Sequence, residues 1–355
     1  MKKVITHTLF AGLMLSLIVP ALSAQEAEQA KRGMIPKEVK VVFEAGQSRL
    51  DIPFQIIKNI YLPTPQNLHA VFLMKIKNGD LGYAPMVAST VDLGVETDAQ
   101  SSFESTPSQL QSKGHAFLQF NNVKDGSIGE LVKEVYIPYN FQVDGSSYDP
   151  EKTDFYSMGY PLPPGEYRLA FALCTPNLEK IGVQFFDFTI PDPMSFTKEL
   201  DTTPIFFAKN IKRIAQPETT VEMHRGNFVY SVLEIEPNLN NLFAPTDTLD
   251  IFFYIFGTRP TPEGKYDIEV SYEVNQDDKV IIRYEAQKYL RGPIVSQPLP
   301  LKVTKKVITK DEKGEIVSEE LKQSDIEPGE YILKMTITDH ISGNSTGKTV
   351  GFTVK

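Results

Sequence analysis

Four histidines, His69, His115, His224 and His340, lie beyond residue 24 of this chain. None is spaced as His-x-x-x-His or His-Glu-x-x-His, the patterns that bring two imidazoles to one metal. They read as surface or strand-end histidines, and no metal site is assigned. Gly-x-Ser-x-Gly, Walker and Gly-x-Gly-x-x-Gly patterns are absent, so no catalytic residue and no cofactor is assigned. The acid pairs Asp277-Asp278 and Asp311-Glu312 offer the oxygens that calcium takes. They lack the multi-ligand spacing of a calcium loop and read as hairpin tips. Phe155, Tyr156 and Tyr160 form a candidate aromatic platform on which a sugar ring could stack. The competing reading buries them in the core, where aromatic side chains gain most. The single cysteine, Cys174, excludes an internal disulfide.

These residues must be positioned by strands. Residues 164–190 (PGEYRLAFALCTPNLEKIGVQFFDFTI) and 328–354 (PGEYILKMTITDHISGNSTGKTVGFTV) align without a gap at an offset of 164, with seven of 27 positions identical. Apolar residues recur with period two on both sides of a turn, the pattern of a half-buried β-hairpin. Used twice, it implies two related β-domains, each closing on this hairpin. Further strand candidates are 39–45, 68–77, 115–121 and 132–141 in the first half. In the second half they are 205–211, 249–257, 267–274, 280–286, 303–310 and 315–321. Short strands at this spacing without helices between them predict antiparallel sandwiches. The all-apolar LDIFFYIFG (249–257) suits a strand covered on both faces.

The boundaries follow from composition. Lys2 and Lys3, the apolar run 9–19 and small residues up to Ala24 read as a cleaved signal peptide, 1–24. Residues 25–36 read as a flexible leader, 37–193 as the first sandwich, the proline-bounded 194–204 as a linker and 205–355 as the second sandwich. Each sandwich is expected to fold alone if the chain is cut within 191–204. Loss of Lys2 and Lys3 takes the net charge from −9 to −11. So acidic a chain is repelled by phosphate, which argues against nucleic acid as a partner. No later segment is long and apolar enough to span a membrane as a helix.

Pro-Gly-x-Tyr followed by alternating apolar residues resembles the penultimate strand of immunoglobulin-like and fibronectin type III-like modules. The resemblance implies a tyrosine corner at Tyr167 and at Tyr331, each hydroxyl bonding backbone a few residues upstream. The second copy also looks like the hairpin closing β-sandwich modules in secreted bacterial proteins of the GWxTD and von Willebrand-related class. The chain has no Trp, so the GWxTD motif itself is missing and only the fold is carried over.

The functional expectation is an exported, periplasmic or extracellular, non-enzymatic binding or structural module. Its partner is an unidentified protein or an envelope glycan. The alternatives are a glycan-binding accessory module and a hydrolase with an unrecognised site. A candidate interaction surface arises from a difference between the two hairpins. Where the second copy turns Lys334, Thr336 and Thr338 outward, the first has Ala170, Ala172 and Cys174, with Phe185 across the hairpin. A strand apolar on both faces needs a cover on both. The segment 127–160, the second domain or a partner are the expected covers.

Overall fold

The computed structural model describes residues 35–64, 67–86, 109–192, 199–310 and 316–355. Period-two apolar patterning puts most of these into strands, which assemble into four sheets and a separate ribbon. In the N-terminal half the outer sheet runs β1 (Arg49–Leu50), β9 (Ile181–Ile190), β8 (Gly165–Cys174), β5 (Gln109–Lys124), β4 (Ala84–Pro85), with β6 (Ser127–Asp144) also on β5. Its inner sheet runs β12 (Met223–Arg225), β7 (Thr153–Leu162), β3 (Leu68–Lys77), β2 (Phe54–Pro63).

In the C-terminal half the inner sheet runs β10 (Asp201–Thr202), β16 (Thr248–Phe256), β11 (Phe206–Arg213), β14 (Leu233–Pro237), β13 (Phe228–Tyr230), with β20 (Ile294–Pro300) on β16. Its outer sheet runs β15 (Leu242–Phe243), β24 (Asn344–Val354), β23 (Gly329–Asp339), β17 (Ile268–Gln276), β18 (Lys279–Arg283), with β19 (Gln287–Tyr289) on β17. β21 (Lys302–Lys310) and β22 (Ile316–Asp325) pair only with each other. The β15–β24 pair is parallel and the other pairs are antiparallel. The chain is all-β, two tandem antiparallel sandwiches.

Sequence patterning had not marked β2, β12, β13, β14, β19 or β20. One of them, β12, crosses between the halves: it follows β11 in the chain but adds an edge strand to β7 of the first sandwich. The two inner sheets also face each other. Ile60, Leu62, Val71 and Leu73 of the first meet Phe206, Ala208, Phe228, Ile235 and Phe252 of the second in one buried apolar layer. Both inner sheets are therefore covered on both sides. β16 turns Leu249, Ile251, Phe253 and Ile255 into its own sandwich and Phe252 into the shared layer.

Two bulges make this possible. In β2 the register slips between Ile56 and Lys58. Phe54 and Ile56 consequently face the first core, whereas Ile60 and Leu62, of the same parity, face the shared layer. A one-residue slip moves every later side chain to the opposite face. β11 does the same between Ala208 and Asn210.

The two Pro-Gly-Glu-Tyr hairpins share one register. Gly165 faces Ile190 and Tyr167 faces Phe188; 164 residues on, Gly329 faces Val354 and Tyr331 faces Phe352. Tyr167 Oη donates to the Pro163 carbonyl at 2.8 Å, and Tyr331 Oη to the Glu327 carbonyl at 2.8 Å. Each ring stacks on its cross-strand Phe, with centroids 5.4 and 5.6 Å apart.

Residues 37–45, expected as the first strand, are an α-helix, α1 (Lys37–Ala45). Val39, Val42 and Phe43 recur at helical spacing, and Gly46, at φ 64°, ends the helix in the left-handed conformation. The helix covers Ala170, Ala172 and Cys174: Ile35, Val39 and Phe43 pack there with Phe117, Ile181 and Val183, and Phe185 lies half-buried beside them. So this face is not an open interaction surface. Its main cover is the helix, with Ile35 from the end of the expected leader; of the expected covers, segment 127–160 adds Tyr136, stacked on Phe117, and the second sandwich adds nothing among the described residues.

Cys174 is fully buried, and burial pushes its thiol up to about 12. A thiol reagent is therefore expected to label it slowly in the folded chain, because the thiolate is the nucleophile. Val39→Asp should raise the labelling rate at least tenfold by prising the helix off. Rapid labelling of the unaltered chain, followed by mass spectrometry, would contradict this cover.

Signal peptide 1–24 and leader residues 25–34 lie outside the described residues, as do 193–198 of the connector and Asp311-Glu312. The late connector is not a free linker: Leu200, Thr202 and Thr203 are buried, and β10 pairs with β16. Asp277 and Asp278 form the two-residue β17–β18 turn with φ of 46° and 62°. Those are the angles of a type I′ hairpin turn, so turn geometry accounts for the pair.

Candidate functional site

The aromatic segment is not a platform. Along β7, side chains alternate between two buried layers. Tyr156 is fully buried in the first core, Tyr160 is half-buried against it, and Phe155 packs on the shared layer. The Tyr156 hydroxyl lies 3.2 Å from that of Tyr83, inside the protein.

The concave site that does form lies where the shared layer ends. Its cavity is about 510 Å³ and both sandwiches build it. Pro63 ends β2 and Thr64 follows it, His69 and Val71 come from β3, and Gly159 and Pro161 from β7. The opposite wall is Glu218–Glu222, His224 of β12, and Phe228–Ser231 at β13. Pairing explains the convergence. His224 lies opposite Ser157 on β7, and Val71 and His69 on β3 lie opposite Gly159 and Pro161. All these side chains share the face turned away from the first core, and the buried Val71 and Phe228 give the cleft an apolar floor. Gly159 is needed there: a Cβ on it would sit 2.0 Å from His69 Nε2.

The electrostatics of the cleft follow from partial burial. Burial pushes the His69 imidazole down to about 4, so it is neutral at physiological pH. Burial also raises Glu218, and the His224 ring only partly offsets that. His224 Nε2 and Glu218 Oε2 are 3.1 Å apart. Glu222 accepts a hydrogen bond from Thr220 Oγ1 at 2.9 Å. The Tyr230 hydroxyl donates to the Pro63 carbonyl, tying the second sandwich to the first, and burial raises it to about 12.

On the same edge strand, Arg225 holds β12 to β7 through Asp154, its Nε 3.0 Å from Oδ2. Burial alone would push the Asp154 carboxyl up, but the Arg225 guanidinium outweighs it and holds the group below the ordinary carboxylate range.

Of the other histidines, His115 Nδ1 lies 2.9 Å from the Tyr136 hydroxyl, and His340 lies 3.6 Å from Glu269. His69, next to the start of β3, and His224, in the short β12, are the ones brought together at the cleft. They are far apart in the chain, and only the pairing of β12 onto β7 brings them to one cleft. Among the described residues no group of three His, Cys, Asp or Glu side chains is placed to hold a metal. A second concavity of about 680 Å³ lies against Tyr254, Tyr266 and Tyr289, and Lys288 and Arg291 also line it.

No protein-family model matches the chain, and no curated protein matches it. Among solved structures it is similar to a mutant of Salmonella alpha-2-macroglobulin, at 8% identity and a TM-score of 0.16, covering 90% of this chain and 17% of that one. The methylamine-reacted form of the same protein gives 8% identity and a TM-score of 0.15, covering 85% and 16%. The chain thus spans about one sixth of that protein's length.

Proposed function

We propose that the chain is an exported, non-catalytic module that binds or organises a component of the cell envelope, in the periplasm or outside the cell. The observation that carries the binding part is the junction cleft. It is a concavity built by two sandwiches over a packed apolar floor, and ligand sites gather at such domain junctions. A floor shared by two cores cannot shift without disturbing both, so the site is pre-formed, which lowers the cost of binding. Export rests on the sequence of residues 1–24.

Expressed with its own N-terminus in a bacterial host, the chain is expected to be recovered outside the cytoplasm with a mass beginning at Gln25 or Ala24. A product that keeps Met1 would overturn export. A second reading, a glycan-binding accessory module, is favoured by the tyrosine-lined concavity, since Tyr254, Tyr266 and Tyr289 offer aromatic faces. A glycan array separates the two. A glycan retained by the chain but lost in Tyr266→Ala supports the second reading, and a blank array removes it.

A further inference from the structure

The junction cleft has a charge character that its floor does not share. Two carboxylates, Glu218 and Glu222, stand in its wall, and among the described residues no lysine or arginine lines it. Across from them His69 is neutral, so it brings an acceptor nitrogen and no positive charge. Glu218 gives one oxygen, Oε2, to His224, and among the described residues no donor reaches Oε1. The Glu218 side chain is partly withdrawn from water and its Oε1 takes no protein donor among the described residues, so that oxygen is available to a cationic group.

We propose that the cleft binds a primary ammonium group carried on a stem the size of one side chain, with Glu218 as its counter-ion. The inference rests on the reading of the chain as a binding module and names the ligand class of its site. An ammonium has three donors that can point to separate acceptors, and the cleft lining offers Glu218 Oε1 and the His69 ring among them. A guanidinium fork is suited to both oxygens of one carboxylate, and His224 already holds one of them. The apolar floor of Val71 and Phe228 takes the methylene stem, as lysine stems lie on apolar surface elsewhere. An anionic ligand would meet two carboxylates and no opposing fixed cation.

The test is calorimetric titration of the full mature chain with Nα-acetyl-lysine methylamide and with its norleucine counterpart, which keeps the stem and lacks the charge. The expected result is binding of the lysine compound at least tenfold tighter than the norleucine compound. In Glu218→Gln the preference should fall at least tenfold, with an unchanged unfolding midpoint because the loop that carries it is exposed. Ring-proton NMR shifts of His69 on titration would place the ligand in this cleft. Equal binding of both compounds, or a lysine preference that survives Glu218→Gln, overturns the proposal. Uptake of neutral N-acetylglucosamine with His69 shifts, without the lysine compound, overturns the ammonium assignment and leaves the binding reading standing. Silence towards all three probes removes the cleft as the basis of both.

Discussion

A chain cut within residues 199–204 is expected to yield halves that do not hold their folds, whereas the intact chain unfolds in one transition. This replaces the expectation from sequence that each sandwich folds alone, and the shared apolar layer is the reason. Nine buried side chains from the two halves meet there. Each is worth about 1.5–3 kcal/mol when fully removed from water, less for Ala208. Area bookkeeping gives an upper estimate, on the order of 12–25 kcal/mol, because unfolded chains already bury some surface. Domain stabilities are about 5–15 kcal/mol, so the layer is comparable to everything else that holds either half together.

The N-terminal half suffers twice, since it also loses β12 and the Arg225–Asp154 ion pair. Urea unfolding followed by circular dichroism checks this. Two separated transitions in the intact chain, or an isolated N-terminal half with a steep transition of its own, would show that the halves are independent.

The next largest effect is expected at the closing hairpin. Tyr331 is 3% exposed, its ring stacked on Phe352 and its hydroxyl bonded to the Glu327 carbonyl. Tyr331→Ala removes a buried aromatic and should cost about 3–5 kcal/mol. Tyr331→Phe keeps the ring and loses one hydrogen bond, worth about 1 kcal/mol net. Because the halves are coupled, both variants should move the single urea midpoint without splitting the transition. An unshifted midpoint in Tyr331→Ala would mean that the corner is ornamental. The equivalent Tyr167 and Phe188, in the same register, should follow the same order.

What could be read in advance was whatever depends on period alone. The two hairpins, β3 and the doubly covered β16 each announce themselves through side chains on one or both faces of a single strand. The helix at 37–45 did not, because Val39 and Val41 fit a strand as readily as Val39, Val42 and Phe43 fit a helix over nine residues. The bulges in β2 and β11 were invisible as well. A slip of one residue leaves no mark in composition, yet it sends Ile60 and Leu62 to a different core from Ile56. The cleft was hidden for a related reason. Its walls come from several separate segments, and His69 and His224 meet through strand pairing, which no linear motif encodes.

The placement of β12 also sets a timetable. A chain that emerges N-terminus first exposes β2, β3 and β7 long before residues 223–225 are available to finish their sheet. Until the strands of the second inner sheet arrive as well, Ile60, Leu62, Val71 and Leu73 have nothing to pack against. Contacts between segments so distant in sequence form slowly, and the waiting half presents an open edge and an apolar face. The first sandwich is therefore a late product of its own chain, and whatever delivers that chain must keep the early part from aggregating until the rest has followed.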